Sequence, residues 1–215
     1  MTPFLLVLSS PSGGGKTTIA RRLLERRSDV GYSVSATTRA ARPGEQHGKD
    51  YTFLTPEEFE RRVQAEEFVE WASYNGQRYG TLKHEVERVF LTGRHVVLDI
   101  EVAGARQVRA QYPSAVLVFV LPPTGEVLAT RLRARRTEPV AALQRRLAIA
   151  RDELAAVPEY DYVVVNDDLE RAIIEVSTII DAEQHRVSRQ VGLGERLTGL
   201  REELADEVSR LRPEI

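Results

Sequence analysis

An α/β fold is what this sequence predicts: a parallel five-stranded sheet flanked by helices, interrupted by a small mixed α/β insert. Three observations predict it. Short β-branched runs alternate with longer helical patterns along most of the 215 residues. Four of those runs, residues 4–9, 96–100, 115–121 and 162–165, are apolar enough throughout to be buried on both faces, as strands of a parallel sheet are. Between about 35 and 85 the alternation gives way to a charged loop, short strands and one well-marked helix.

The elements follow in order. The strand at 4–9 leads through a glycine-rich loop into a helix at 16–27, and a further strand is expected over 32–36. A short strand at 51–54 precedes Thr55-Pro56-Glu57-Glu58, which supplies an N-cap, a proline at the first helical position and a capping-box glutamate. Residues 68–74 and 77–80 flank Asn75-Gly76, a pair that tolerates the positive φ of a tight hairpin turn. Helices are expected at 102–111, 124–135, 141–157 and 169–187. This divides the chain into a core of 1–34 and 86–190, an insert of 35–85, and a tail of 191–215. In the tail Leu193, Leu197, Leu200, Leu204, Val208 and Leu211 recur at helical spacing, and the expectation is that it packs back on the core or frays, with a dimer contact as the alternative.

Composition narrows the chemistry. The chain has no cysteine, which excludes disulfides, Cys-ligated zinc, iron–sulfur clusters and thiol nucleophiles, and its four histidines show no metal-ligand spacing. A net charge of −2 argues against a nucleic-acid partner. No run approaches the roughly 20 apolar residues of a membrane span, and residues 4–8 are too short for a signal segment. A soluble cytoplasmic protein, monomer or homodimer, is expected. Of 30 basic residues only Lys16, Lys49 and Lys83 are lysine; the arginine bias reads first as compositional.

Ser10-Pro11-Ser12-Gly13-Gly14-Gly15-Lys16-Thr17 follows a strand and opens a helix, the context of a phosphate-binding loop, so the core reads as a P-loop NTPase. Backbone N–H groups and the helix dipole would cradle ATP phosphates, Lys16 would bridge the β- and γ-phosphates, and the Thr17 hydroxyl would bind Mg²⁺. Ser10 stands where the strict pattern has glycine; a residue before proline is extended and needs none. Asp99, at the end of the 96–100 strand, is either a holder of Mg²⁺ through water or a turn former.

Ser33-Val34-Ser35-Ala36-Thr37-Thr38-Arg39, Arg42-Pro43-Gly44-Glu45, Gly48-Lys49-Asp50-Tyr51-Thr52-Phe53, Phe68-Val69-Glu70-Trp71-Ala72, Tyr79-Gly80-Thr81 and Asp99-Ile100-Glu101 then occur in the order and spacing of one family. Over residues 3 to 185 the chain resembles guanylate kinase, a nucleoside-monophosphate kinase of purine metabolism. The resemblance implies transfer of the γ-phosphoryl group of ATP to GMP or dGMP, with 35–85 as the GMP-binding insert and about 124–157 as a helical lid. It implies that Arg39, Arg42, Tyr51 and Tyr79 hold the GMP phosphate, and forked guanidinium groups suit a dianion. Glu70 is the implied guanine reader, since a carboxylate accepts from the adjacent N1–H and N2 amino donors that adenine lacks; Ser35, Thr81, Asp99 and Glu101 complete that set. Two departures stand out: the family usually has Asp where this chain has Glu101, and often Gln at Ala103. Of the lid arginines, Arg131, Arg135 and Arg146 align with positions that close over ATP; Arg39, Arg135 and Arg146 would join Lys16 in catalysis. Asn166, in Asn166-Asp167-Asp168, is either an adenine neighbour or part of a helix cap.

Overall fold

The structure, a computed structural model, describes residues 2–74, 76–133 and 140–211, with only the backbone described for Tyr74 and residues 140–142. Strand β1 (Leu5–Ser9) lies at the centre of a five-stranded parallel sheet, and helix α1 (Lys16–Arg26) follows it. Its neighbours are β7 (His95–Asp99) on one side and β8 (Val116–Leu121) on the other; β2 (Val30–Tyr32) and β9 (Tyr162–Val165) form the edges. All four pairings are parallel. Every residue of β1 is buried, and alternation sends Leu6 and Leu8 to one face and Leu5 and Val7 to the other. The first face packs Ile19 and Leu23 of α1 and Ile173, Val176 and Ile180 of α7 (Leu169–Gln184). The second packs Val86 and Val89 of α3 (Lys83–Phe90) and Ala105 and Val108 of α4 (Val102–Gln111).

A second sheet, ordered β4 (Thr52–Phe53), β3 (Ala36–Thr37), β6 (Gln77–Leu82) and β5 (Phe68–Tyr74), carries α2 (Pro56–Gln64) over a small core of Ala36, Phe59, Phe68 and Leu82. The β5–β6 hairpin turns after Tyr74 pairs with Gln77, with Gly76 at φ +76°. Thr55 caps α2, its hydroxyl accepting the Glu58 N–H at 3.1 Å.

Several sequence expectations need correction. The strand expected over 32–36 is two strands in different sheets: Tyr32 ends β2 against Val97, and Ala36 begins β3 against Gly80. Between them the Val34 N–H turns to the Glu85 carboxylate at 3.3 Å, so the ladder is broken. Glu58 does not close the capping box; its carboxylate pairs with Arg61 and Arg62 on the following turn. Helix α3 was not foreseen, because Leu82 at its N-cap supplies no side-chain bond to announce it; the boundary expected after residue 85 falls inside it. The helix expected at 141–157 is α6 (Val140–Leu154), which gives way to a 3₁₀ turn at Val157–Glu159 because Pro158 disfavours α conformation in the residue before it. Helix α5 (Gly125–Arg133) precedes it.

The tail does form a helix, α8 (Leu193–Arg210), but it does not pack on the core: none of its residues is buried, and Leu204 and Val208 are more than 60% exposed. No helix among the described residues is long and apolar enough to cross a membrane. Because α8 contributes no residue to any of the core clusters, deleting residues 193–215 is expected to shift the thermal unfolding midpoint by less than about 2 °C at low protein concentration. A scan of the truncated chain beside the full one checks this.

Candidate active site

The loop from Ser10 to Thr18 leaves the carboxyl edge of the central strand, where neighbouring strands on both sides open a crevice. Gly15 caps α1 at φ +104°, a left-handed conformation, with no side chain covering the first N–H groups of the helix. Those donors are therefore left to an anion. The turn before it is closed by the Gly14 N–H donating to Pro11 O at 2.8 Å, with the buried Ser10 hydroxyl donating to the same carbonyl. From the far edge of the sheet the Asn166 amide donates to Gly14 O at 2.8 Å, so close that a Cβ on Gly15 would meet Asn166 Nδ2 at 2.2 Å. Arg131 Nη2 holds Asn166 O at 3.1 Å, and Arg146 Nη2, on α6, donates to the Ser12 hydroxyl at 2.8 Å.

The loop forms one end of a cleft of about 1140 Å³ whose other end is the second sheet. Ser10, Ser12, Gly13, Gly15, Lys16, Thr17, Arg131 and Asn166 line the first end; Ser35, Tyr51, Glu70 and Tyr79 line the second, with Asp99 and Glu101 between. Pro11 and Gly14 lie behind the loop surface, and Thr81 is buried behind Glu70. Arg39 and Arg42 stand outside the lining, and Arg135 lies outside the described residues.

Several polar groups in the cleft have defined partners. Lys16 Nζ contacts Glu101 Oε1 at 2.7 Å. The Tyr32 hydroxyl donates to Asp99 Oδ1 at 3.2 Å, and burial beside that carboxylate pushes the phenol well above its usual range. Arg39 grips Glu45 through both terminal nitrogens at 2.9 Å, its guanidinium lying over the Tyr51 ring; Arg42 is exposed and its backbone N–H donates to the same glutamate at 2.7 Å. The Thr81 hydroxyl donates to Glu70 Oε1 at 2.7 Å. Glu70 is only 5% exposed, and Gly104 leaves it room, since a Cβ there would meet Oε2 at 2.5 Å. Burial pushes its carboxyl up to about 7, against the opposing Thr81 bonds and with a further push from Glu101.

Three participants escaped sequence reasoning. Tyr32 was read only as a strand residue. Glu45 was named only within the segment Arg42-Pro43-Gly44-Glu45, and its three-residue spacing from Arg42 is the available signal. Glu153 lies on α6 seven residues after Arg146, hence on the same helical face; burial and the neighbouring Glu101 raise its carboxyl above the ordinary range. As oxygen donors on one wall, the Thr17 hydroxyl and the Asp99 carboxylate are chemically suited to a hard cation such as Mg²⁺.

A glycine-rich loop opening a helix from the central strand of a parallel sheet, with a lysine next to its last glycine, makes this a P-loop nucleotide-binding fold. A family model described as guanylate kinase matches residues 3–183. A guanylate kinase of Symbiobacterium thermophilum is 51% identical over 185 residues, covering 86% of this chain and 88% of that one. One from Paramagnetospirillum magneticum is 49% identical over 199 residues, 92% of each chain. The crystal structure of guanylate kinase from Anaplasma phagocytophilum superimposes with a TM-score of 0.75 at 38% identity, covering 92% of this chain and 95% of that one. The chain belongs to the guanylate kinase family.

The buried Glu70 yields a stability test. Its folded value lies above the unfolded one, so the folded state binds the extra proton between about 4.5 and 7. The stability associated with that proton is complete below the unfolded value and is lost as pH rises through about 7. Glu70→Gln keeps an acceptor for Thr81 and carries no charge. It is expected to raise the unfolding midpoint at pH 8 and to lose most of that gain at pH 5. Urea titrations at the two pH values measure the difference.

Proposed function

We propose that this chain transfers the γ-phosphoryl group of ATP to GMP, giving ADP and GDP, and accepts dGMP as well. The carrying observation is one cleft with a phosphate loop at one end and the buried Glu70–Thr81 pair at the other. A buried carboxylate with one oxygen already bonded to a hydroxyl is poised to accept two parallel donors from a base edge, as guanine offers and adenine does not. Left without them it would be a desolvated charge lacking partners, which gives the site its selectivity.

In this reading the loop N–H groups from Ser10 to Thr17, Lys16, Arg131 and Asn166 hold ATP. Arg39, Arg42, Tyr51 and Tyr79 hold the GMP phosphate, and Ser35, Thr81, Asp99 and Glu101 support the base. The bidentate grip of Arg39 on Glu45 supports this role, since the same fork suits a phosphate. Thr17, and Asp99 through water, would hold Mg²⁺, which supplies charge neutralisation on the phosphate oxygens when bound. Arg146 reaches the loop from α6, and Arg135 would join it over ATP. No general base is required, because a phosphate monoester with a second pKa near 6 already presents an ionised oxygen at pH 7. The protein's share is alignment, charge neutralisation and exclusion of water. The same reading makes the enzyme Mg²⁺-dependent and cytoplasmic, where its nucleotide substrates are found.

A coupled ADP-release assay across GMP, dGMP, AMP, UMP and a sugar phosphate tests the reading. GMP and dGMP are expected to be turned over well above the others. Glu70→Ala should raise KM for GMP by about 10²–10⁴-fold, the worth of two hydrogen bonds to a charged group. Equal GMP activity in that variant would overturn base reading by Glu70. Lys16→Ala should lower kcat by at least about 10²-fold, and ADP release at the parent rate would remove Lys16 from the mechanism.

A further inference from the structure

Lys16, at the phosphate-loop end of the cleft, forms an ion pair at 2.7 Å with Glu101, which stands between the two ends. It joins residues 85 positions apart, one opening the helix after the phosphate loop and the other capping α4. Glu101 makes no side-chain cap bond to its own helix, so its carboxylate is available to reach across. The Lys16 side chain is only 12% exposed, which places the pair between the weak surface class and the buried class. On the other side, Glu101 is near enough to Glu70 to push that carboxyl upward, and Gly104 of the same helix lies against Glu70 Oε2. Glu153 of α6 faces Glu101, and burial together with Glu101 raises the Glu153 carboxyl. Glu101 therefore stands at the rim of the pocket assigned to the base, with its carboxylate on the lysine assigned to ATP.

We propose that the Lys16–Glu101 ion pair is a latch between the two nucleotide subsites, and that it makes ATP and GMP bind with positive cooperativity. The proposal rests on the subsite assignment given under the proposed function. Phosphate oxygens claim the Lys16 ammonium, and the donors of the base claim the Glu101 carboxylate. Either ligand arriving alone has to separate the pair; the second arrives with the pair already separated. Linkage makes the effect reciprocal, each ligand tightening the other by the same factor. A side chain one methylene shorter at position 101 keeps the charge and shortens the reach, so the pair and the general field of a carboxylate can be told apart.

The test is calorimetry on the full chain. The Mg²⁺ complex of a non-hydrolysable imido analogue of ATP is titrated with and without saturating GMP, and GMP is titrated with and without the analogue. The parent chain, Glu101→Gln and Glu101→Asp are compared, with thermal unfolding as the check on folding. In the parent each ligand is expected to tighten the other by about tenfold, equally in both orders. In both variants the factor should fall to less than about twofold, and the analogue alone should bind more tightly than it does to the parent. A parent factor of one with both ligands bound overturns the latch. So does a factor that survives in Glu101→Asp, which would assign the coupling to the field of the charge. Failure of the parent to bind either ligand overturns the subsite assignment itself, a result distinct from the other two.

Discussion

A loop that offers bare backbone N–H groups to an anion has little room for side chains of its own on the ligand side. Its turn is closed from within by Pro11 O and the Ser10 hydroxyl, and it is tied down from outside by the Asn166 amide donating to Gly14 O at 2.8 Å. That bond ties the turn before α1 to the end of β9 at the far edge of the sheet, and it is buried, so it is not exchanged with water. It also explains why Gly15 is glycine twice over: its φ is +104°, and any Cβ would strike the amide that fixes the loop. The parallel register of β1 with β7 and β8 fixes where the loop leaves the carboxyl edge beside Asp99, and Arg131 in turn holds Asn166 O at 3.1 Å.

The cleft is built from internal pairs. Arg39 is gripped by Glu45, Lys16 by Glu101, and Asp99 accepts the Tyr32 hydroxyl. In the first two pairs a carboxylate occupies the position relative to a cation that a phosphate oxygen would take, so the cations are already oriented and partly desolvated. Such preorganisation reduces the side-chain ordering that binding requires. Under the proposed function it also sets a condition: a phosphate would have to outcompete a carboxylate for each cation, which suits a dianion with more acceptor oxygens better than a neutral hydroxyl. Glu70 differs: among the described residues it has a hydroxyl partner and no ion pair, and burial pushes its carboxyl up to about 7.

How much was legible in the sequence follows from the range of the interactions. β1, β7 and β8 were readable because a strand buried on both faces must be apolar throughout, and the Thr55-Pro56 start of α2 because capping acts within three residues. β9 is apolar too, but it is an edge strand with Val163 and Val165 exposed, so burial on both faces does not hold there. The passage from β2 to β3 was not, since strands of three and two residues have no period to detect. Nor was α3, whose Val86 and Val89 are packed by β7 and not announced by a cap. The motif residues Glu70, Tyr51 and Tyr79 could be named from their order, but that Glu70 is the buried member and Arg39 the paired one depends on neighbours distant in the chain. Glu101 was marked as a departure by its extra methylene. What that length reaches, a lysine 85 residues earlier, is tertiary information. For α8 the pattern showed an apolar stripe, which states that a face is amphipathic but not whether anything covers it.

The contrast between 27 arginines and three lysines is resolved by what surrounds them. Most of the paired arginines serve half-exposed ion pairs, such as Arg22 with Glu25 and Arg106 with Glu159, of the kind that contribute about 0–1 kcal/mol each. A compositional drift toward arginine is tolerated there because the geometry is loose. At position 16 the side chain, only 12% exposed, leaves a helix N-terminus and ends in a compact charge that can turn its three donors toward different acceptors. A planar guanidinium fork would need a wider opening and a fixed approach. At Arg39 the requirement is the reverse: two parallel bonds to one anion, made while the guanidinium lies over the Tyr51 ring, which an ammonium cannot supply. The same drift in composition is therefore neutral on the surface, useful at Arg39 and excluded at Lys16, and the geometry of each anion contact decides which.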